Sequence, residues 1–107
     1  MVRYRFGETE DIRATVAERD DEACVLASAT VSIASEEGTE LRTDVVCSVD
    51  DTVNPKELWY HETFSAANGY AEDGIYTATF KAVIAWTGTS YAVKAIVMLM
   101  VDAVKDE

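Results

Sequence analysis

Histidine and proline each occur once in the 107 residues, cysteine twice and glycine five times. Basic side chains are also scarce: 9 Lys and Arg stand against 20 Asp and Glu, a net charge of −11. Each shortage excludes something. Without clustered Lys and Arg the chain has no means of gripping a nucleic-acid backbone. An anionic membrane surface is excluded on the same ground. A basic partner or a bound cation stays open, although an acidic surface serves solubility without either. The two cysteines, Cys24 and Cys47, lie far apart and fit no metal spacing. They form one disulfide or, as expected in a reducing cytosol, stay as buried thiols. The start, Met1 to Phe6, lacks an apolar signal region and runs into Gly7-Glu8-Thr9-Glu10-Asp11. No signal peptide is therefore read, and a cytoplasmic location is expected. The longest apolar run, Ala95 to Val101, is too short to span a bilayer.

What is present suits a globular domain. A hydrophobic fraction of 49% offers enough apolar surface to offset the entropy of ordering. No repeat, biased tract or linker divides the chain, so residues 1–107 are read as one domain. Ile12, Ala14 and Val16 alternate with Arg13 and Thr15, the period of a half-buried strand. The acidic stretch Glu18 to Glu22 reads as a loop. Val31 and Ile33, with Thr30 and Ser32 between them, mark a strand over Val25 to Ala34, closed by a turn at Glu36-Glu37-Gly38-Thr39. Leu41 to Val49 is expected as a third strand with Val45, Cys47 and Val49 on one face. Leu58 to Phe64, rich in aromatic and β-favouring residues, is a fourth. Ser65 to Gly69 suits one helical turn, with Ser65 as N-cap and Gly69 as stop.

The strongest local signal comes last. Ile75 to Trp86 and Ser90 to Val101 match in length and flank Thr87-Gly88-Thr89, which predicts a long β-hairpin. A helix over 92–105 competes, but the β-branched Val93, Ile96, Val97 and Val101 favour strand. Short strands at regular spacing without a helical period argue for a sandwich or barrel.

At this hairpin the chain resembles immunoglobulin-like domains. These often enter their penultimate strand through an acidic residue, Gly and then Tyr at alternate positions, as in Glu72-Asp73-Gly74-Ile75-Tyr76. The resemblance implies an all-β, immunoglobulin-like sandwich of about seven antiparallel strands. It makes Tyr76 a tyrosine corner and Gly74 the bend into the strand. Ala78 stands where antibody-type domains place their second cysteine, so the inter-sheet disulfide is missing. Asp11 to Val16, Ala29 to Ile33, Gly74-Ile75-Tyr76 and the hairpin from Phe80 to Val101 are more similar to immunoglobulin-like domains of phage and prophage structural proteins, such as the N-terminal domain of baseplate upper proteins. That likeness spans roughly residues 8–103. It implies a structural or host-attachment role in a virion, or a prophage remnant, and carries over no catalytic residue and no cofactor.

The residues themselves offer little chemistry. His61 shares a strand face with Trp59 and Thr63, and no spacing brings Cys24 or Cys47 to it as zinc ligand or nucleophile. The acidic clusters Asp20-Asp21-Glu22, Glu36-Glu37, Asp50-Asp51 and Glu72-Asp73 read as solvated turns. Asp50, Asp51 and Asn54 form the best group for Ca²⁺, without EF-hand spacing. No pairing of acids for glycoside hydrolysis is visible, and no phosphate loop or nucleophile elbow occurs. The chain is therefore expected to be no enzyme and to hold no metal.

The last strand is more informative. Ala95 to Val101 is apolar at consecutive positions, whereas one face of a sandwich strand should meet water. Its outer face needs cover from Val2 to Phe6, from the C-terminal tail or from another subunit. Val97, Met98, Leu99 and Met100 are the candidate interface. Two functions follow as expectations. The first is an assembly module that joins copies of itself or a neighbouring virion protein. The second is a carbohydrate- or calcium-binding sandwich, with Trp59, Tyr60 and His61, or Trp86 and Tyr91, as an aromatic platform.

Overall fold

The computed structural model describes residues 1–16, 25–50, 52, 56–86 and 89–103. The strands are β1 (Val2–Arg5), β2 (Thr9–Val16), β3 (Val25–Ser35), β4 (Glu40–Val46), β5 (Ser48–Asp50), β6 (Lys56–Thr63), β7 (Gly74–Trp86) and β8 (Thr89–Asp102). They form an all-β fold of two sheets, ordered β1-β8-β7-β3-β4 and β2-β6-β5. Every pairing is antiparallel except β1 on β8, which is parallel.

Alternation explains the core. Ile12 and Val16 of β2 and Leu58 of β6 face Val31, Ile33, Phe80, Ile84, Leu99 and Val101 of the larger sheet. Burying each such side chain contributes about 1.5–3 kcal/mol, which holds the two layers together. Aromatic residues close one end. Tyr4 stacks on Phe64 at 4.6 Å, Tyr70 meets Phe64 edge-on at 5.0 Å, and Tyr76 meets Tyr70 edge-on at 4.9 Å. Two charged residues also point inward, Lys56 and Glu62. Glu62 accepts from Arg42 of β4 (3.0 Å) and from the Tyr70 hydroxyl (2.9 Å), so it bridges the sheets with satisfied oxygens.

Several expectations need correction. The third strand is not continuous over Leu41 to Val49. It breaks at buried Cys47: β4 belongs to the larger sheet, β5 to the smaller. The Cys47 N–H bonds to the Ala29 carbonyl at 3.3 Å while the chain changes layers. Val49 is consequently exposed rather than in line with Val45 and Cys47. The segment Val2 to Phe6 does not lie over the last strand. It contributes β1, which extends the sheet sideways, Val2 beside Leu99 and Tyr4 beside Val101. Between β6 and β7 the helical turn at Ala66–Asn68 is a 3-10 turn. Ser65 precedes it without a side-chain capping bond, and Gly69 ends it at φ 93. The loop Glu18 to Glu22 and Cys24 lie outside the described residues.

The entry to β7 combines two residues. Asp73, not Gly74, carries the left-handed backbone, with φ 60. Gly74 is required by proximity: a Cβ there would lie 2.6 Å from the Tyr76 hydroxyl oxygen. That hydroxyl accepts the Ala71 N–H at 2.8 Å, which ties the start of the strand to the turn before it.

Candidate functional site

The outer face of the five-stranded sheet is built by the even positions of β8 and β3 and the odd positions of β7. Antiparallel register sets them in rows: Met100 beside Ile75, Met98 beside Thr77 and Ala34, Ile96 beside Thr79 and Ser32, Lys94 beside Lys81 and Thr30. Residues paired this way share a face. No carboxylate occurs among these β8, β7 and β3 residues; on β4 Glu40 stands beside Ala34, and Asp44 accepts from Ser32 and contacts Lys81. Ile96 is 65% and Met98 51% exposed, while Met100 and Ile75 are half-buried. At the far edge Val46 of β4, paired with Thr30, is 82% exposed.

The four candidate interface residues therefore divide between two faces. Leu99 is fully buried in the core, and Val97 packs against that core from the same side. Met98 and Met100 face outward. Ile96, which was not among the four, is more exposed than either methionine. A period of two applied to Ala95 to Val101 separates the faces but does not say which one is inside. The residues that settle it, Phe80, Val31 and Ile12, are distant in sequence.

The outer face of the three-stranded sheet is different. His61 Nδ1 lies 2.7 Å from Asp11 Oδ1, and Arg13 Nη2 donates to Asp11 Oδ2 at 3.2 Å. The Arg13 guanidinium sits over the Trp59 ring at 5.7 Å. Thr9 and Thr63 share a hydrogen bond of 2.8 Å. His61 thus stands with Trp59 and Thr63, its side chain 71% exposed, and Asp11 across from it in register. Trp59, Tyr60 and His61 do not form one platform. Tyr60 turns inward against the core, and Arg13 covers the Trp59 ring. The side chains of Trp86 and Tyr91 lie outside the described residues.

Nucleophilic and metal chemistry find no assembled partners among the described residues. Cys47 is a free, buried thiol, and burial pushes its pKa up, away from the reactive thiolate. It lies inside the sandwich, whereas His61 is outside it. Asp50 accepts from the Thr52 hydroxyl and N–H, which hold its carboxyl below the usual range. Asp51 and Asn54, its companions in the expected calcium group, lie outside the described residues. Among the described residues no group of three or more His, Cys, Asp or Glu could hold a metal ion. No helix among them is long and apolar enough to cross a membrane.

No protein-family model matches this chain, and no curated protein matches it.

Proposed function

We infer that this chain is a non-catalytic assembly module, an immunoglobulin-like sandwich of the phage or prophage structural type, which associates through its five-stranded sheet. The observation that carries the assembly role is the outer face of β8 and β7. It is apolar at Ile96 and Met98, bears no carboxylate between Lys94 and Met100 on β8, and makes no cover for itself, on an otherwise acidic chain. Contiguous exposed apolar side chains on a rigid sheet mark association surfaces.

Strand order supports the immunoglobulin-like reading. β3, β7 and β8 are neighbours in the order of strands C, F and G, β4 follows β3 as C′ follows C, and β2-β6-β5 repeats the order B-E-D. The first strand departs from the constant-type pattern by joining β8 rather than β2. The hydrogen bond between the Tyr76 hydroxyl and the Ala71 amide suits a tyrosine corner. The phage or prophage assignment rests on the sequence resemblance around Asp11 to Val16 and Gly74 to Val101. The non-catalytic reading is supported by a single histidine held to Asp11 on an open face, remote from the buried thiol.

Light scattering across a concentration series tests the assembly role. The wild-type chain should gain mass with concentration, and Met98→Lys should shift that transition at least about tenfold higher, the equivalent of about 1.4 kcal/mol. A wild-type chain that stays monomeric throughout would end this reading.

A further inference from the structure

The face just described is not electrically uniform along its strands. One end holds Lys94 beside Lys81. Lys81 contacts Asp44 at 3.3 Å, and Lys94 makes no ion pair among the described residues. The other end holds Asp73 and Asp102, which line one open depression, with the Glu36-Glu37 turn and Glu72 close by. Arg3 and Arg5 also lie at that end, engaged by Asp102 (2.9 Å) and Glu8 (3.5 Å), and carboxylates outnumber them. The centre between the two ends is the row Met98, Thr77 and Ala34, uncharged until it reaches exposed Glu40 at the β4 edge.

The spacing of these charges is symmetric. Lys94 precedes Met98 by four residues and Asp102 follows it by four. Asp73 precedes Thr77 by four residues and Lys81 follows it by four. Thr77 and Met98 are themselves opposite each other in register. Rotating the face by half a turn about an in-plane axis that crosses the strands at this row therefore lays lysines over acids and acids over lysines. Ile96 then falls against the position of Met100, apolar on apolar. A two-fold interface must be self-complementary in this sense.

We propose that two copies of this chain pack face to face through the outer surface of the five-stranded sheet, about a two-fold axis crossing the strands at Thr77 and Met98. This rests on the assembly reading above and specifies its partner and geometry. Lys94 of each copy meets Asp102 of the other, and Lys81 meets Asp73. Only β7 and β8 run the full eight residues on both sides of this axis, β1 and β3 covering one end each. At about 3.4 Å per residue and about 4.8 Å per strand they make a face of roughly 260 Å², below what a specific dimer buries per partner and in the range of weak, transient contacts. The dimer is accordingly a reversible one, and its charged ends set orientation more than strength.

Exchanging the charges tests it. One variant carries Lys81→Glu and Lys94→Glu, the other Asp73→Lys and Asp102→Lys. By sedimentation equilibrium each variant alone should dimerise at least about tenfold more weakly than wild type, because matched pairs become like-charged ones. An equimolar mixture should recover dimers, since every exchanged contact is again opposite in sign. Recovery also shows that both variants are folded, and circular dichroism of each alone provides an independent check. Dimerisation unchanged in the separate variants, or folded variants that stay apart on mixing, would overturn this geometry and leave the assembly reading standing. A monomeric wild-type chain would overturn both.

Discussion

On the three-stranded sheet the outward residues able to attract a partner already engage one another. Asp11 holds His61 and Arg13, Arg13 covers Trp59, and Thr9 bonds Thr63. On the five-stranded sheet Ile96 and Met98 stand in solvent, flanked by threonines that offer them no cover. Both faces are outer surfaces of one sandwich with one core, and both obey the same alternation. The difference lies in what was placed at the outward positions: mutually satisfied polar groups on the three-stranded sheet, and on the other unpartnered apolar groups of β8 between the ion pairs Arg3–Asp102 and Lys81–Asp44. A surface of the first kind gains little from a partner, because each contact must first break an existing one. A surface of the second kind gains by removing apolar area from water, at about 25 cal/mol per Å².

The largest effect is expected where the comparison loses its frame. Glu62 is buried and joins β6 to Arg42 of β4 and to Tyr70. Glu62→Ala strands a partly buried guanidinium and removes the acceptor of the Tyr70 hydroxyl. Such a loss should cost about 3 kcal/mol, read from urea denaturation, and should loosen both faces together. A cost below about 1 kcal/mol would mean that the network is solvated and that the sheets are held by apolar packing alone.

Next in size is the contrast itself. Ile96→Lys with Met98→Lys should abolish self-association, while unfolding free energy changes by less than about 1 kcal/mol, since neither side chain is in the core. Thr9→Lys with Thr63→Lys adds the same charge to the other sheet and should leave the association constant within about twofold. Equal losses from both pairs would show that net charge, rather than the face, governs association.

Why the strands were legible and the site was not follows from particular residues. Ile12, Ala14 and Val16 declare β2 because one face meets the core and the other meets water. The hairpin from Gly74 to Asp102 declares itself because its contacts are local to one turn. The break at Cys47 is invisible, because Val45, Cys47 and Val49 keep a period of two while the chain passes from one sheet to the other. β1 is missed because its partner in β8 is nearly the whole chain away, and four residues carry no pattern of their own. The pairing of Asp11 with His61, and of Thr77 with Met98, depends on register between strands, which no local spacing records.

The smallest effect tests the satisfied face most directly. Asp11→Ala removes the shared acceptor of His61 and Arg13 and leaves both exposed to water. Neither becomes a buried charge, so no desolvation cost remains behind. Exposed pairs of this kind contribute about 0.2–1 kcal/mol, and the loss should fall at the lower half of that range. Tyr4 donates its hydroxyl to the Asp11 carbonyl at 3.0 Å, a backbone contact that the substitution retains. The variant should therefore melt within about 4 °C of wild type and associate as wild type does. A larger loss would mean that Asp11 orders the β2 edge through His61 and Arg13. An unchanged melt with new self-association would be more instructive: freeing Arg13 and Trp59 would then suffice to make this sheet resemble the other.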